Sequence, residues 1–326
     1  MKNPKGFKFI SDAGLEWLEC GRVTRLPWLL HAFSTRRGGF SKPPAAGLNL
    51  GFVESDRRVR VERNRQQFFK AIGAGRFTPA GLRQIHSAAV YRVETTPDRS
   101  LHYRPCGLDF PVAPKRAIPG GDALITDRPG ALLSVRIADC LPVLLVDPRR
   151  RAIAAVHAGW RGALQRVVEK AVGAMRREFD LEPSRMAAIL GPSIRACCYA
   201  VGQEVVDAFC GGFVNGERFF RPPPSDDPSQ ALSARYPMLF LSPHPPGHGP
   251  EPAAAAHLDL VAVARDQLRQ AGLRSANIHV APFCTACRTD LFFSHRKEGA
   301  GTGRALAVVG IRPEAPRRKS ASARGC

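Results

Sequence analysis

The chain reads as an α+β protein on three observations. Four strand-length apolar runs follow one another between residues 122 and 156, the connections between them are too short for helical crossovers, and apolar residues recur at helical spacing on either side. Parallel neighbours need a dozen or more connecting residues, so mainly antiparallel pairing is expected. With 326 residues the chain is long enough for one large domain or two ordinary ones, because single cores stop growing near ~250–300 residues.

Residues 1–25 read as a loosely held lead-in. Leu29 to Ser34 then has the look of a strand running into a Gly-rich turn at Thr35-Arg36-Arg37-Gly38-Gly39. Val59 to Ile72 carries apolar residues at helical spacing, and Ala88 to Val93 predicts a short strand that begins just after His86. The four central runs are Asp122–Thr126, Ala131–Ile137, Pro142–Val146 and Ala152–Val156. Leu164, Val167, Val168, Ala171, Val172 and Met175 place a helix just beyond His157. Ala187–Leu190 predicts a strand and Val201 to Phe209 a short helix. Residues 215–256 contain ten prolines and read as a loop or surface insertion. Helical spacing resumes from Leu258 to Ala271, Ile278–Val280 is a predicted strand, and Arg304–Val309 the last core strand. Residues 313–326 are basic and expected to be disordered.

A content of 44% hydrophobic and 23% charged residues is that of an ordinary globular protein. The net charge of +20 raises a nucleic-acid partner. Part of the excess lies in the termini, and elsewhere the basic residues are scattered with no aromatic-flanked stripe, so nucleic acid is not the expected partner. Nine cysteines are an odd count in a chain too large to need disulfide staples, and residues 1–10 lack the apolar run of a signal peptide. Reduced thiols, a cytoplasmic location and no membrane association follow as expectations.

Three segments put a metal-ligand type at a strand end: Gln84-Ile85-His86-Ser87, Ala138-Asp139-Cys140-Leu141-Pro142 and His157-Ala158-Gly159-Trp160-Arg161-Gly162. Two imidazoles and one thiolate suit zinc, and three protein ligands leave a position for water or substrate. Asp139 is a candidate to steady a ligand or transfer a proton. The same residues also fit a Cys140 nucleophile with His157 as base. Taken singly, each is as well read as a packing residue. No His-x-Glu occurs, so the usual zinc-deaminase signature is absent. Cys284 and Cys287 form one Cys-x-x-Cys without a second such pair, and are expected to be free thiols. Gly299, Gly301 and Gly303 read as a flexible loop rather than a nucleotide cradle.

Those three segments occur in order with Ser34-Thr35-Arg36-Arg37-Gly38-Gly39, Gly47-Leu48-Asn49-Leu50-Gly51, Gly121-Asp122-Ala123, Gly191-Pro192-Ser193-Ile194, Cys198-Tyr199-Ala200-Val201-Gly202 and Phe293-Ser294-His295-Arg296. In this the chain resembles the YfiH-like purine nucleoside phosphorylase family, also called the polyphenol-oxidase or laccase-domain family. The resemblance implies a single catalytic domain over 26–312 in α/β/β/α layers, related in architecture to the cytotoxic-necrotizing-factor catalytic domain. It implies zinc on His86, Cys140 and His157, with copper the metal of the older name. Implied substrates are phosphate with adenosine, inosine and S-methyl-5'-thioadenosine, and adenosine deamination is an implied second activity. By position Arg37 and Asn49 match residues of the family's pocket, with Arg37 the first candidate for phosphate, and Arg296 belongs to its Ser-aromatic-Arg motif.

The chain departs from that pattern in the Pro-rich stretch, at His295 and at Glu54-Ser55-Asp56. Copper oxidation of phenols is disfavoured, because a laccase needs several copper centres and His-x-His pairs are missing. Two alternatives stay open: hydrolysis of a wrongly built cell-wall precursor through Cys140 and the metal, and a basic nucleic-acid-associated protein without catalysis.

Overall fold

The computed structural model describes residues 4–96, 98, 100–107, 118–222 and 256–313. Its first sheet has six strands: β1 (Phe7–Asp12), β2 (Leu15–Cys20), β3 (Leu29–Ser34), β4 (Thr78–Ala80), β8 (Ala131–Ile137) and β16 (Ala305–Ile311), in the order β1-β2-β3-β16-β8-β4. The second has seven: β5 (Val90–Thr95), β6 (Leu101–Pro105), β7 (Ala123–Thr126), β9 (Leu141–Asp147), β10 (Ala152–Ala158), β11 (Ala187–Leu190) and β15 (Ile278–Val280), in the order β15-β11-β9-β10-β7-β5-β6. A small third sheet joins β12 (Ala200–Val201), β14 (Ala256–Leu258) and β13 (Phe220–Arg221).

The two large sheets lie face to face, and the reason is visible in the central strands. Every residue of β9, β10 and β16 is buried, as expected of strands covered on both faces. Side chains alternate between the faces. Leu144 and Val146 of β9, with Ile153 and Ala155 of β10, pack against Leu133, Val135, Ala307 and Val309 of the six-stranded sheet. Val143, Leu145, Ala154 and Val156 point the other way, onto helix α3 (Val167–Phe179) and the helix Leu260–Gln270. On the far side of the first sheet, Leu30, Leu132, Leu306 and Val308 pack on Phe68 and Ile72 at helix α1 (Arg58–Ala71). Helix, sheet, sheet and helices therefore follow one another, a mixed α/β arrangement in layers. Among the described residues no helix is long and apolar enough to cross a membrane.

Four differences from the sequence reading have physical causes. Residues 7–20, expected within a loose lead-in, form a hairpin that closes one edge of the six-stranded sheet, with Phe7, Leu15, Trp17 and Leu18 buried. Its two-residue turn, Ala13-Gly14, takes positive φ at both positions, which suits a hairpin's twist. The four central runs, expected to pair mainly antiparallel, divide between the sheets: β9, β10 and β7 pair antiparallel, whereas β8 crosses to the other sheet, antiparallel to β16 but parallel to β4. The helix after His157 is broken: α2 (Trp160–Leu164) and α3 are separated at Arg166, whose φ of 62° is left-handed. Finally, the stretch 215–256 begins inside the core, since Phe219 is buried against Phe209 and Phe213; its residues 223–255, like residues 314–326 of the tail expected over 313–326, lie outside the described residues.

Candidate functional site

A cavity of about 500 Å³ opens where β9 begins and β10 ends. The antiparallel register sets Ala158 opposite Leu141 and His157 opposite Pro142, so Cys140, one residue before β9, comes beside His157. His86 arrives from the loop before β5 with a left-handed φ of 57°. One ligand-type atom from each of His86, Cys140 and His157 lies within 4.8 Å of the other two. The Cys140 Sγ is 3.8 Å from His86 Nε2, and the two imidazole rings meet edge to face at 5.1 Å. Gly159 is required by closeness here. A Cβ on it would sit 2.8 Å from His86 Cδ2 and 3.0 Å from the Cys140 sulfur.

Asp122 holds this group together. Fully buried, its carboxylate accepts from the backbone N–H groups of Ile85, His86 and Ser87, from the Ser87 hydroxyl, and from His157 Nδ1–H at 2.9 Å. That last bond fixes the His157 tautomer and leaves Nε2 for the centre of the cluster. Burial opposes ionisation of Asp122, but the bonds from His157 and Ser87 keep its pKa below the usual carboxylate value. Burial would likewise raise the Cys140 thiol; the His157 charge and hydrogen bonds from both histidines outweigh it and bring the thiol down to about 6. On His157 burial acts downward, whereas the Cys140 thiolate and Asp122 push the imidazole up to about 9. Without a metal, both shifts favour a thiolate–imidazolium pair, with His157 buried and Cys140 half-buried.

Asp139, also with positive φ at 88°, lines the cavity. Its carboxylate accepts from Thr285 Oγ1 at 2.6 Å and from the Arg296 backbone N–H at 2.7 Å. The Arg296 side chain lines the wall as well, donating to the Ala200 carbonyl and lying over the Tyr199 ring. Arg136 and Arg304, which the sequence did not single out, face the same space. Strand pairing brings them there, since Arg136 of β8 lies opposite Leu306 of β16, two residues from Arg304. Among the described residues their guanidinium groups bond only neutral acceptors: Gln84 and Leu82 for Arg136, Thr302 and Gly303 for Arg304. Burial lowers the basicity of both. It also lowers nearby Arg65, to about 10, and repulsion from Arg136 adds to the effect at Arg65 and Arg304.

Two sequence candidates stand elsewhere. Arg37 does not line the cavity: it points to the surface, 43% exposed, where its guanidinium meets Glu16 at 3.4 Å and Asp290 at 3.7 Å. The Gly-rich turn that carries it is held through Arg36, whose N–H donates to the Leu291 carbonyl and whose carbonyl accepts from the Leu48 N–H. Asn49 is fully buried beneath the wall, accepting from the backbone N–H groups of Gly51 and Arg304 and donating to Asp56. It positions Arg304 and does not itself reach the cavity.

Comparison with known proteins bears on this site. Residues 30–312 match the family model described as multi-copper polyphenol oxidoreductase laccase. The purine nucleoside phosphorylase YlmD of Geobacillus stearothermophilus is 33% identical over 298 residues, which is 91% of this chain and 95% of that protein. The adenosine deaminase RL5, from an unknown prokaryotic organism, is 32% identical over 86% of this chain and 93% of its own length. Among solved structures, YlmD of Geobacillus stearothermophilus superposes with a TM-score of 0.71 at 31% identity, covering 94% of this chain and 99% of that one. The hypothetical protein YfiH of Bacillus licheniformis superposes with a TM-score of 0.73 at 26% identity, covering 93% and 99%.

Proposed function

The chain belongs to the multi-copper polyphenol oxidoreductase laccase family, and from that premise we propose that it is a zinc-dependent purine nucleoside phosphorylase that cleaves adenosine, inosine and S-methyl-5'-thioadenosine with phosphate, deaminating adenosine as a second activity. The observation that carries this reading is the convergence, in one cavity, of a three-ligand group with two arginines that, among the described residues, hydrogen-bond only neutral acceptors. Relatives named purine nucleoside phosphorylase and adenosine deaminase support the substrate class.

The donor set fits one zinc. Two imidazoles and a thiolate are its ordinary ligands, and Asp122 already presents His157 in the tautomer that a metal requires. His86, Cys140 and His157 would hold the ion, which would supply Lewis acidity at a fourth, open position. A laccase needs more: the described residues hold this one mixed His/Cys group and one all-cysteine group, against the several His-rich centres of multi-copper oxidation.

Phosphorolysis forms a bond from a phosphate oxygen to ribose C1′ and breaks the bond from C1′ to the base, which leaves with a proton. Arg136 and Arg304 would receive the phosphate through charge-assisted hydrogen bonds, a task the sequence reading had given to Arg37. Arg296, which also lines the cavity, would add positive charge there. Asp139, steadied by Thr285, is placed to accept a ribose hydroxyl or to hold a proton in transit. Tyr199 and Phe52 offer aromatic surface for the purine.

The test is base release from adenosine and inosine by metal-assayed protein, with and without phosphate, beside Cys140→Ala. Phosphate-dependent adenine and hypoxanthine, lost in the variant, is the expected result; no release from zinc-loaded protein overturns the reading. One observation favours a second reading: the thiolate–imidazolium pair is also that of a cysteine hydrolase. Amide hydrolysis of a cell-wall precursor, lost in Cys140→Ala, by protein that releases no base from adenosine or inosine would establish it in place of the first.

A further inference from the structure

Behind the wall of that cavity lies a second group of ligand-type side chains. Cys197 and Cys198 come from the loop after β11, Cys284 and Cys287 from the loop after β15, and their four sulfurs lie within 4.8 Å of one another. Cys287 Sγ is 3.5 Å from Cys197 Sγ and 3.3 Å from Cys198 Sγ. All four are free thiols, and these separations far exceed the ~2.05 Å of a disulfide. They approach instead the ~3.8 Å that four sulfurs adopt around a tetrahedral ion at ~2.3 Å.

The surroundings are built for a thiolate cluster. The Cys284 sulfur accepts backbone N–H bonds from Cys287 and Arg195, the kind of donor that stabilises a metal-bound thiolate from outside its ligand shell. The two loops are already tied by backbone bonds, Thr285 N–H to the Ser193 carbonyl and Ser193 N–H to the Phe283 carbonyl. Arg195 clamps the pair through the carbonyls of Ala281 and Phe283. Four soft donors without a histidine or carboxylate among them select zinc or iron over harder ions.

We propose that Cys197, Cys198, Cys284 and Cys287 bind a second zinc ion in a closed, structural site. Its role follows from what the two loops carry. One presents Tyr199 to the cavity and the Ala200 carbonyl to Arg296; the other presents Thr285 to Asp139. The ion would pin both loops from behind, so that the wall facing the substrate keeps its shape. A structural site offers four protein ligands and no open position, so no chemistry is assigned to it.

The experiment is zinc analysis of the purified full-length protein, of Cys140→Ala and of the double variant Cys284→Ala/Cys287→Ala. The expected contents are two ions per chain in the wild type and one in each variant. Zinc-edge X-ray absorption of Cys140→Ala should show four sulfur neighbours and no imidazole. One ion in the wild type together with none in Cys140→Ala overturns the proposal. Should the double variant fail to fold, the wild type still decides: Cys197 and Cys287 are exposed, and a thiol reagent should label them only after a chelator has removed one ion. Labelling at full zinc content sinks the idea. A wild type with two ions and no nucleoside cleavage would leave this site standing while the phosphorylase reading falls.

Discussion

His31 and His157 are equally buried, each 5% exposed, on inner strands of the two large sheets, yet their protonation moves in opposite directions. Among the described residues the His31 imidazole has one hydrogen bond, its Nε2 accepting the Cys20 backbone N–H at 2.8 Å, and burial pushes it down to about 4. His157 has a thiolate on one side and Asp122 on the other, and rises to about 9 despite the same burial. Burial alone makes a histidine neutral and structural; an anionic shell makes it a group that can carry charge or present a lone pair to a metal. The candidate site is therefore recognised by its partners, not by its depth.

The largest effect that could break this contrast is on turnover. His157→Ala should lower kcat for base release by on the order of 10³ or more, the several kcal/mol expected from losing a metal ligand. His31→Gln, which keeps an acceptor for Cys20, should leave turnover within about twofold, a change worth well under 1 kcal/mol. Comparable losses in both would mean that the site depends on the sheet as a whole.

Next in size is the response to acid. Because the folded pKa of His31 lies below its ordinary 6.5, proton uptake favours the unfolded chain. Its contribution is fully present above pH 6.5 and is lost as pH falls toward about 4, by about 3 kcal/mol in all. Urea titrations of wild type and His31→Gln should therefore keep a constant difference above pH 6.5, and the wild type should lose about 3 kcal/mol relative to the variant as pH falls toward 4, with carboxylate effects cancelling in the difference. A difference that stays flat with pH would show that His31 titrates normally.

Asp122→Asn tests the other half of the comparison. The amide can still accept from His157, but it carries no charge and is a weaker acceptor for the Ser87 donors. Zinc affinity measured by competition with a chromogenic chelator should drop by roughly 10- to 100-fold, the usual cost of a group that orients a metal ligand. Unchanged affinity would place the fixing of His157 in the β-sheet alone.

Much of this was legible in the sequence, and the parts that were not share a cause. The continuous apolar runs of β9 and β10 announced buried central strands, and His86, Cys140 and His157 each stood at an end of such a run. Asp122 lay in a recognised Gly-Asp-Ala segment, but its role comes from a loop more than thirty residues away in sequence. The β1–β2 hairpin was hidden because Glu16 and Glu19 interrupt its apolar alternation. Cys284 and Cys287 looked like half a site; the other half, Cys197-Cys198, is brought to it by the pairing of β11 with β15 and the backbone bonds that continue it into the two loops. Spacing rules read neighbours along the chain, whereas sheet register makes neighbours that no local pattern records.

Arg37 and Arg304 give the smallest effect and the sharpest discrimination. Its match by position to the family's pocket made Arg37 the first candidate for phosphate, yet its partners are surface carboxylates at 3.4 and 3.7 Å, with its side chain 43% exposed. Ion pairs of that kind contribute ~0–1 kcal/mol, so Arg37→Ala should change the KM for phosphate by no more than about threefold. Arg304 lines the cavity, has only neutral acceptors among the described residues, and is held from below by Asn49. Removing a charge-assisted bond to phosphate costs ~1.5–3 kcal/mol, which predicts at least a roughly tenfold rise in KM for Arg304→Ala with a smaller change in the KM for nucleoside. Because Arg304→Ala deletes no backbone donor, its bond to Asn49 survives and the loss reports on the guanidinium itself. A larger effect at Arg37 than at Arg304 would move the anion site to the Gly-rich turn and leave the buried arginines as packing.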